Sequence, residues 1–324
     1  MNYIPNNILV TGGCGFIGSN LINFLLNKHS NINIYNIDKL DYCAREKNVE
    51  QHQNYKFIKG DINQNDLISF VLNNYNIDTI IHLAAQSHVD NSFGNSIQFT
   101  KDNILGTHVL LECSVKYGKI KRFIHISTDE VYGEVENDAD DCDENFILNP
   151  TNPYAASKAG AEFLVKSYYS SYNLPIIITR GNNVYGAKQY PEKLIPKFTK
   201  LLSENKKFTI QGSGNNTRNF INVFDVCGAI EIILEKGIIN ETYNIGTNNE
   251  YSVLDISKII LKHVKPNTNI DDWIEFIEDR NFNDKRYAIN NKKLKSLGWN
   301  ERIPFNIGIS TTINWILKNK DYWD

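Results

Sequence analysis

Two short spacings in this chain could move protons. Asp129 and Glu130 are adjacent within Ser127-Thr128-Asp129-Glu130-Val131-Tyr132-Gly133, just after an apolar strand candidate at 122–126. Neighbouring carboxyl groups can act as acid and base on neighbouring atoms, and their mutual repulsion raises the pKa of one of them. Regular strand geometry would point them to opposite faces. Both therefore reach one substrate only if the chain has already left the strand. The second spacing is Tyr154-Ala155-Ala156-Ser157-Lys158. Residues four apart share a helix face. A lysine ammonium there is expected to lower the phenol from its usual pKa of about 10, which makes Tyr154 a base toward a sugar hydroxyl. Pro153 suits a first helical turn and sets where that helix starts.

A third pattern binds rather than reacts. Gly12, Gly15 and Gly18 lie in Thr11-Gly12-Gly13-Cys14-Gly15-Phe16-Ile17-Gly18, after a strand candidate and at the opening of a helix. Glycines there permit a tight turn, close approach of backbone to a pyrophosphate and close helix–strand packing. The helix N-terminus adds unpaired N–H groups and a favourable dipole. Asp38 ends the second strand candidate, where an acid can hold the adenosine ribose and would repel a 2′-phosphate. The expected cofactor is thus NAD and not NADP. Asp61-Ile62 and Leu83-Ala84-Ala85 end the next two strands, placed to contact adenine and to let the cofactor lie close.

These residues need a scaffold that brings strand ends together. Strand candidates at 7–10, 32–37, 55–58, 79–82, 122–126 and 176–179 alternate with helical stretches at 16–26, 67–72, 97–115 and 154–172. That alternation predicts βαβ units in a doubly wound parallel sheet, with ligands at the C-terminal strand edge. The segments 219–221 and 242–245 read as strands returning to the main sheet, and the rest as a smaller lid. The chain has 324 residues, 41% hydrophobic and 22% charged, with a net charge of -3 and no basic block, so nothing favours nucleic-acid binding. No apolar run is long enough to span a membrane, and residues 1–7 lack a signal-peptide layout. Five scattered cysteines with no CxxC pair suggest free thiols in a reducing, cytoplasmic setting, and no metal site is expected.

The chain resembles the extended short-chain dehydrogenase/reductases through TGGCGFIG, HLAAQSHVD, STDEVYG and YAASK, essentially end to end. Within them, STDEVYG is similar to nucleotide-sugar 4,6-dehydratases. The forms DKLDYC, RGNNVYG and FNDKRY resemble the dehydratase domain of UDP-rhamnose synthases more than the NCSNNYGP and RPGHDRRY of many dTDP-glucose enzymes. The resemblance implies a Rossmann-type α/β fold with a smaller, sequence-interleaved α/β substrate domain. The boundaries expected are 1–185 plus about 218–248 for NAD, and about 186–217 plus 249–324 for the nucleotide sugar.

The implied reaction oxidises C4 of a glucose unit, eliminates water across C5 and C6, and returns the hydride to C6. Thr128 would hold the C4 oxygen, Asp129 would be the acid and Glu130 the base, and Tyr154 with Lys158 would serve C4 oxidation. Phe16, Ile17, Lys39, Ser87 and Val184 join the glycines, Asp38, Asp61, Ile62, Leu83, Ala84 and Ala85 on the cofactor side. Ser87, Thr128, Asn183, Lys193, Leu194, Arg218 and Arg280 would contact substrate, the arginines through the diphosphate. UDP-glucose is favoured over dTDP-glucose, in a rhamnose-type deoxysugar route whose later steps fall to separate proteins. A homodimer through the helices at 97–115 and 154–172 is expected. A 4-epimerase, a UDP-xylose synthase or a non-catalytic NAD-binding regulator would share the glycine loop, but none of them needs Asp129-Glu130.

Overall fold

A computed structural model describes residues 2–136, 140–279 and 283–323. Its main sheet has seven parallel strands: β1 (Asn7–Thr11), β2 (Asn33–Asp38), β3 (Tyr55–Lys59), β4 (Thr79–His82), β5 (Arg122–Thr128), β6 (Ile176–Gly181) and, closing one edge, Thr242–Ile245. The order across the sheet is Thr242–Ile245, β6, β5, β4, β1, β2, β3, so the winding reverses between β1 and β4. In such sheets the crevice for ligands opens at that reversal, outside the C-terminal strand ends.

Side-chain alternation divides the packing of this sheet. Ile8 and Val10 of β1 face one core, with helices α1 (Phe16–Lys28) and Val223–Lys236, while Leu9 faces the other. That second core holds α2 (Asn65–Asn74) and the long helical pair described next. The helix expected at 97–115 runs from Ser96 to Tyr117, but residues Thr100–Leu105 wind as a π-helix. This widened turn carries the buried polar residues Asp102 and Asn103. Asn103 donates to the Ser157 hydroxyl at 2.8 Å and takes the Gln86 N–H at 2.8 Å, tying the helix to the floor of the crevice. The reactive helix Pro153–Tyr172 begins at Pro153 as expected, capped by Asn152, whose side chain accepts from Ala155 N–H.

A separate core is formed by the helices Leu194–Ser203, Val253–Val264 and Phe305–Lys318 around Phe198, Phe208, Ile256 and Ile309. The expectation for 219–221 is corrected here. Thr217–Asn222 is a strand, but it pairs with Asn183–Tyr185 and Glu250–Ser252 in a small three-stranded sheet. The edge beside β6 is taken by Thr242–Ile245, and Phe220 packs into the separate core instead. The segment 242–245 does return to the main sheet. All five cysteines are free, and among the described residues no helix is long and apolar enough to cross a membrane.

Candidate active site

Two adjoining cavities meet along the C-terminal strand ends and share Phe16, Ile17, Ser87, Tyr154 and Lys193, so they form one cleft. One half runs over the glycine loop. Gly12 has φ +70° and packs so closely on β4 that an added Cβ would sit 2.7 Å from Ala84 Cα. Gly18 admits no side chain either, since its Cβ would meet Gly12 O at 2.5 Å. Gly15 is different. Its Cβ would meet only Gly12 O, at 3.3 Å, and would otherwise project into space. Gly15 lines the cleft at the start of α1, where no side chain caps the helix. Open backbone at an uncapped helix N-terminus is the cradle a pyrophosphate requires.

The other residues expected to hold the cofactor line this same half. They are Asp38, Lys39, Asp61, Ile62, Leu83, Ala84, Ala85 and Ser87, with Tyr154 and Lys158 at its inner end. Val184 alone lies in the other half. Asp38 accepts the N–H groups of Cys14 and Leu40 at 2.9 and 2.8 Å, so it braces the glycine loop as well as facing the cavity. Burial raises its pKa, and those two donors oppose the rise without cancelling it. Lys39 is held by Asp102 at 2.8 Å. The residues present fit a dinucleotide with a free 2′-hydroxyl.

Sequence reading did not find the roof over this half. Tyr42 donates to Glu192 across the opening at 2.8 Å, a contact between residues 150 apart, and Lys193 donates to Ser87 O at 2.7 Å. Tyr190 stacks edge-on with Tyr42 and with Trp323. Tyr42 stands in DKLDYC and Glu192 follows Pro191, but no spacing rule relates them.

At the inner end β5 stops at Thr128, and Asp129–Tyr132 form a tight 3₁₀ turn. The condition set by strand geometry is therefore met, with the chain off the strand at Asp129. The two carboxylates are nevertheless not equivalent. Glu130 and Thr128 line the substrate half, whereas Asp129 is 3% exposed and sits behind Thr128. Asn152 Nδ2 reaches Glu130 Oε2 at 3.3 Å, so the residue that caps the reactive helix also steadies this carboxylate. Burial, and after it the charge of Glu130, pushes Asp129 up to about 7. Repulsion between the pair is thus the second cause, not the first.

The expected effect of Lys158 on Tyr154 is corrected. Lys158 Nζ donates to Ile126 O at 2.7 Å, and burial lowers its own pKa to about 8. Burial drives the Tyr154 phenol far above its ordinary value, with Glu130 and Asp129 adding to the rise and a Thr128 hydrogen bond opposing it. A shared helix face brings the pair close without deciding where a long lysine side chain ends.

The substrate half is lined by side chains from distant segments. Asn183, Lys193, Leu194 and Arg218 all face it, joined by Asn216, Asn283 and Tyr287. Arg218 donates to Thr217 O at 2.7 Å and lies over the Tyr287 ring at 4.6 Å. Burial lowers the pKa of Lys193. Arg280 lies outside the described residues.

The family model described as GDP-mannose 4,6 dehydratase matches residues 9–312. A trifunctional UDP-glucose 4,6-dehydratase/UDP-4-keto-6-deoxy-D-glucose 3,5-epimerase/UDP-4-keto-L-rhamnose-reductase of Arabidopsis thaliana is 50% identical over 99% of the chain. The chain spans about half the length of that relative, 48%. The dTDP-glucose 4,6-dehydratase of Streptomyces venezuelae, solved with NAD bound, superposes with a TM-score of 0.93 at 34% identity, over 98% of this chain and 99% of that one. The UDP-glucose 4-epimerase of Thermotoga maritima also superposes, with a TM-score of 0.89 at 29% identity, over 97% and 99%.

Proposed function

The chain belongs to the nucleotide-sugar 4,6-dehydratase family, and from that premise we propose that it converts UDP-glucose to its 4-keto-6-deoxy derivative. One observation carries the reading. Thr128 ends β5 beside Tyr154 and Asp129 and Glu130 follow it, with burial raising the Asp129 carboxyl to about 7, where it can give up a proton near neutral pH. A hydride-transfer site with only a tyrosine could oxidise and re-reduce a carbonyl. Removing water needs a base and an acid as well.

Bound NAD supplies the acceptor for the C4 hydride and later the hydride for C6. The chain's own groups handle the protons. Tyr154, after losing its own proton to solvent, takes the C4 hydroxyl proton as the phenolate, with Thr128 holding the same oxygen. Its burial makes the phenolate a strong base once formed. Lys158 fixes the helix against β5 through Ile126 O. With C4 a ketone, the C5 proton is acidic, and Glu130, which lines the cleft, removes it and returns it to C5 when C6 is reduced. Asp129 supplies the proton on which the C6 hydroxyl leaves as water. Asn183, Lys193 and Arg218 hold the diphosphate side.

The preference for UDP over dTDP rests on RGNNVYG, on DKLDYC and on the 50% identity with the plant UDP-glucose enzyme. Initial rates with UDP-glucose and dTDP-glucose, reading the 4-keto-6-deoxy product after alkali, test both parts. If both sugars are returned unchanged, the dehydratase reading fails. If dTDP-glucose is faster, only the nucleotide assignment fails. A product epimerised at C4 with C6 still hydroxylated would favour the epimerase reading, for which Asp129 and Glu130 have no use.

The same reading takes the protein to be a cytoplasmic homodimer. Its thiols are free, and Ile97, Leu105, Phe163 and Tyr172 stand 71%, 49%, 62% and 56% exposed along the two helical stretches expected to pair. Size-exclusion chromatography of Phe163→Asp against the unaltered chain tests the dimer.

A further inference from the structure

Asp129 does not face the cleft, yet its proton must reach it, and the side chain that governs this is Asn182. Asn182 follows β6 and is 4% exposed. Its amide orientation is determined by its neighbours. The Thr247 backbone N–H donates to Asn182 Oδ1 at 3.0 Å, which leaves Nδ2 as the group 2.8 Å from Asp129 Oδ2. A flipped amide would face one N–H with another and set its oxygen against a carboxylate. Its backbone is also held, through Asn182 N–H to Ile245 O at 3.0 Å. Gly246 leaves room for the amide, because a Cβ there would lie 2.3 Å from Asn182 Oδ1.

An N–H donor therefore points permanently at Oδ2. A proton on Oδ2 would confront that donor, so neutral Asp129 carries its proton on Oδ1. Oδ1 accepts from the Thr128 hydroxyl at 3.3 Å, but a hydroxyl, unlike the fixed amide, can turn to accept from a protonated Oδ1, and Thr128 lines the cleft. We propose that Asn182 is a positioning residue for dehydration: it holds Asp129 Oδ2 so that the acidic proton sits on Oδ1, the oxygen turned toward Thr128 and the substrate. The proposal rests on reading Asp129 as the acid.

The charged and titratable groups facing Asp129 are Glu130 on its own turn, Tyr154 on the reactive helix, Arg218 on the small sheet and Cys142 on the neighbouring loop. The neutral Asn182 is the donor on Oδ2. Its loss has two effects of known sign. The carboxylate loses a stabilising donor, so the acid holds its proton to higher pH. Oδ2 also becomes free to take the proton, on the side turned away from Thr128.

Asn182→Leu keeps the approximate size of the side chain and removes the donor without adding a charge. Gly246→Ala displaces the amide without altering it. Two measurements on the holoenzyme read the outcome: the pH dependence of kcat with UDP-glucose, and a ¹³C-carboxyl titration of Asp129 assigned by difference from Asp129→Asn. In both variants the alkaline limb and the Asp129 titration should move up by about one pH unit. Turnover should fall about tenfold, with reduced dinucleotide accumulating because elimination is slowed after C4 oxidation. Lower turnover with an unmoved limb and an unmoved titration would overturn the proposal and leave Asn182 merely structural. If the unaltered enzyme dehydrates neither sugar, the functional reading fails, and the carboxyl titration still decides the role of Asn182.

Discussion

The dinucleotide half of the cleft is made largely of backbone, and the substrate half of side chains. In the first, Gly12, Gly15 and Gly18 expose main chain at a helix start, and successive strand ends from β1 to β4 repeat one geometry. In the second, Glu130, Asn183, Lys193, Arg218 and Tyr287 converge from five separate segments. Backbone built this way recognises what many substrates share. Side chains brought together from afar select one reaction. Substitutions in the two halves should therefore fail differently.

The largest effect is expected at Glu130. Glu130→Gln should lower dehydration about a thousandfold while C4 oxidation persists, seen as reduced dinucleotide appearing without 4-keto-6-deoxy product. Loss of dinucleotide binding instead would show that the halves are not separable. Gly18→Ala should do the opposite. Its Cβ would collide with Gly12 O and Gly13 Cα at 2.5 and 2.7 Å, so NAD affinity should fall about a hundredfold by calorimetry. Arg218→Met should raise KM for the nucleotide sugar about tenfold and leave NAD affinity unchanged.

The smallest effect concerns stability. The Asp129 carboxyl is raised from its ordinary value of 3.8 to about 7 in the fold. Between those values the folded chain keeps a proton that the unfolded chain has lost. Stability therefore falls as pH rises through that window, and above it the buried charge costs on the order of a few kcal/mol. Asp129→Asn removes the charge and still presents an oxygen to Asn182. Its Tm should exceed that of the unaltered chain by a few degrees at pH 8, with the gap closing toward pH 4. An equal gap at both pH values would mean that the charge is not the cause.

The contrast between halves also explains what could be read from the sequence. Periodicity and glycine spacing are local, so β1 to β6, the start of the reactive helix at Pro153 and the residues along the dinucleotide half were legible. Pairing is not local. The alternation around Asn219–Ile221 marks a strand, but only the fold shows that the edge beside β6 is already filled. Adjacency of Asp129 and Glu130 was visible, but a 3₁₀ turn decides that one faces the cleft and the other lies behind it. Tyr154 and Lys158 share a helix face, yet the ammonium finds the Ile126 carbonyl. His82, within HLAAQSHVD, bonds Thr11 and Thr107 at 2.7 and 2.8 Å, and burial lowers its pKa to about 3, so it braces β4 as a neutral ring.

The Tyr42–Glu192 hydrogen bond joins residues 150 apart, whereas the glycine loop and the strand end it packs on are complete by Ser87. Long-range closures of this kind form late, after the loop entropy between them has been spent. During synthesis the glycine loop can thus form and meet its dinucleotide before Glu192 exists to close over it. Once that bond is in place, a dinucleotide held beneath it is expected to leave faster from Tyr42→Phe, by stopped-flow exchange, if local opening there limits escape. The lifetime of the bound cofactor would then report on the contact between two surface loops as well as on the strength of the cradle.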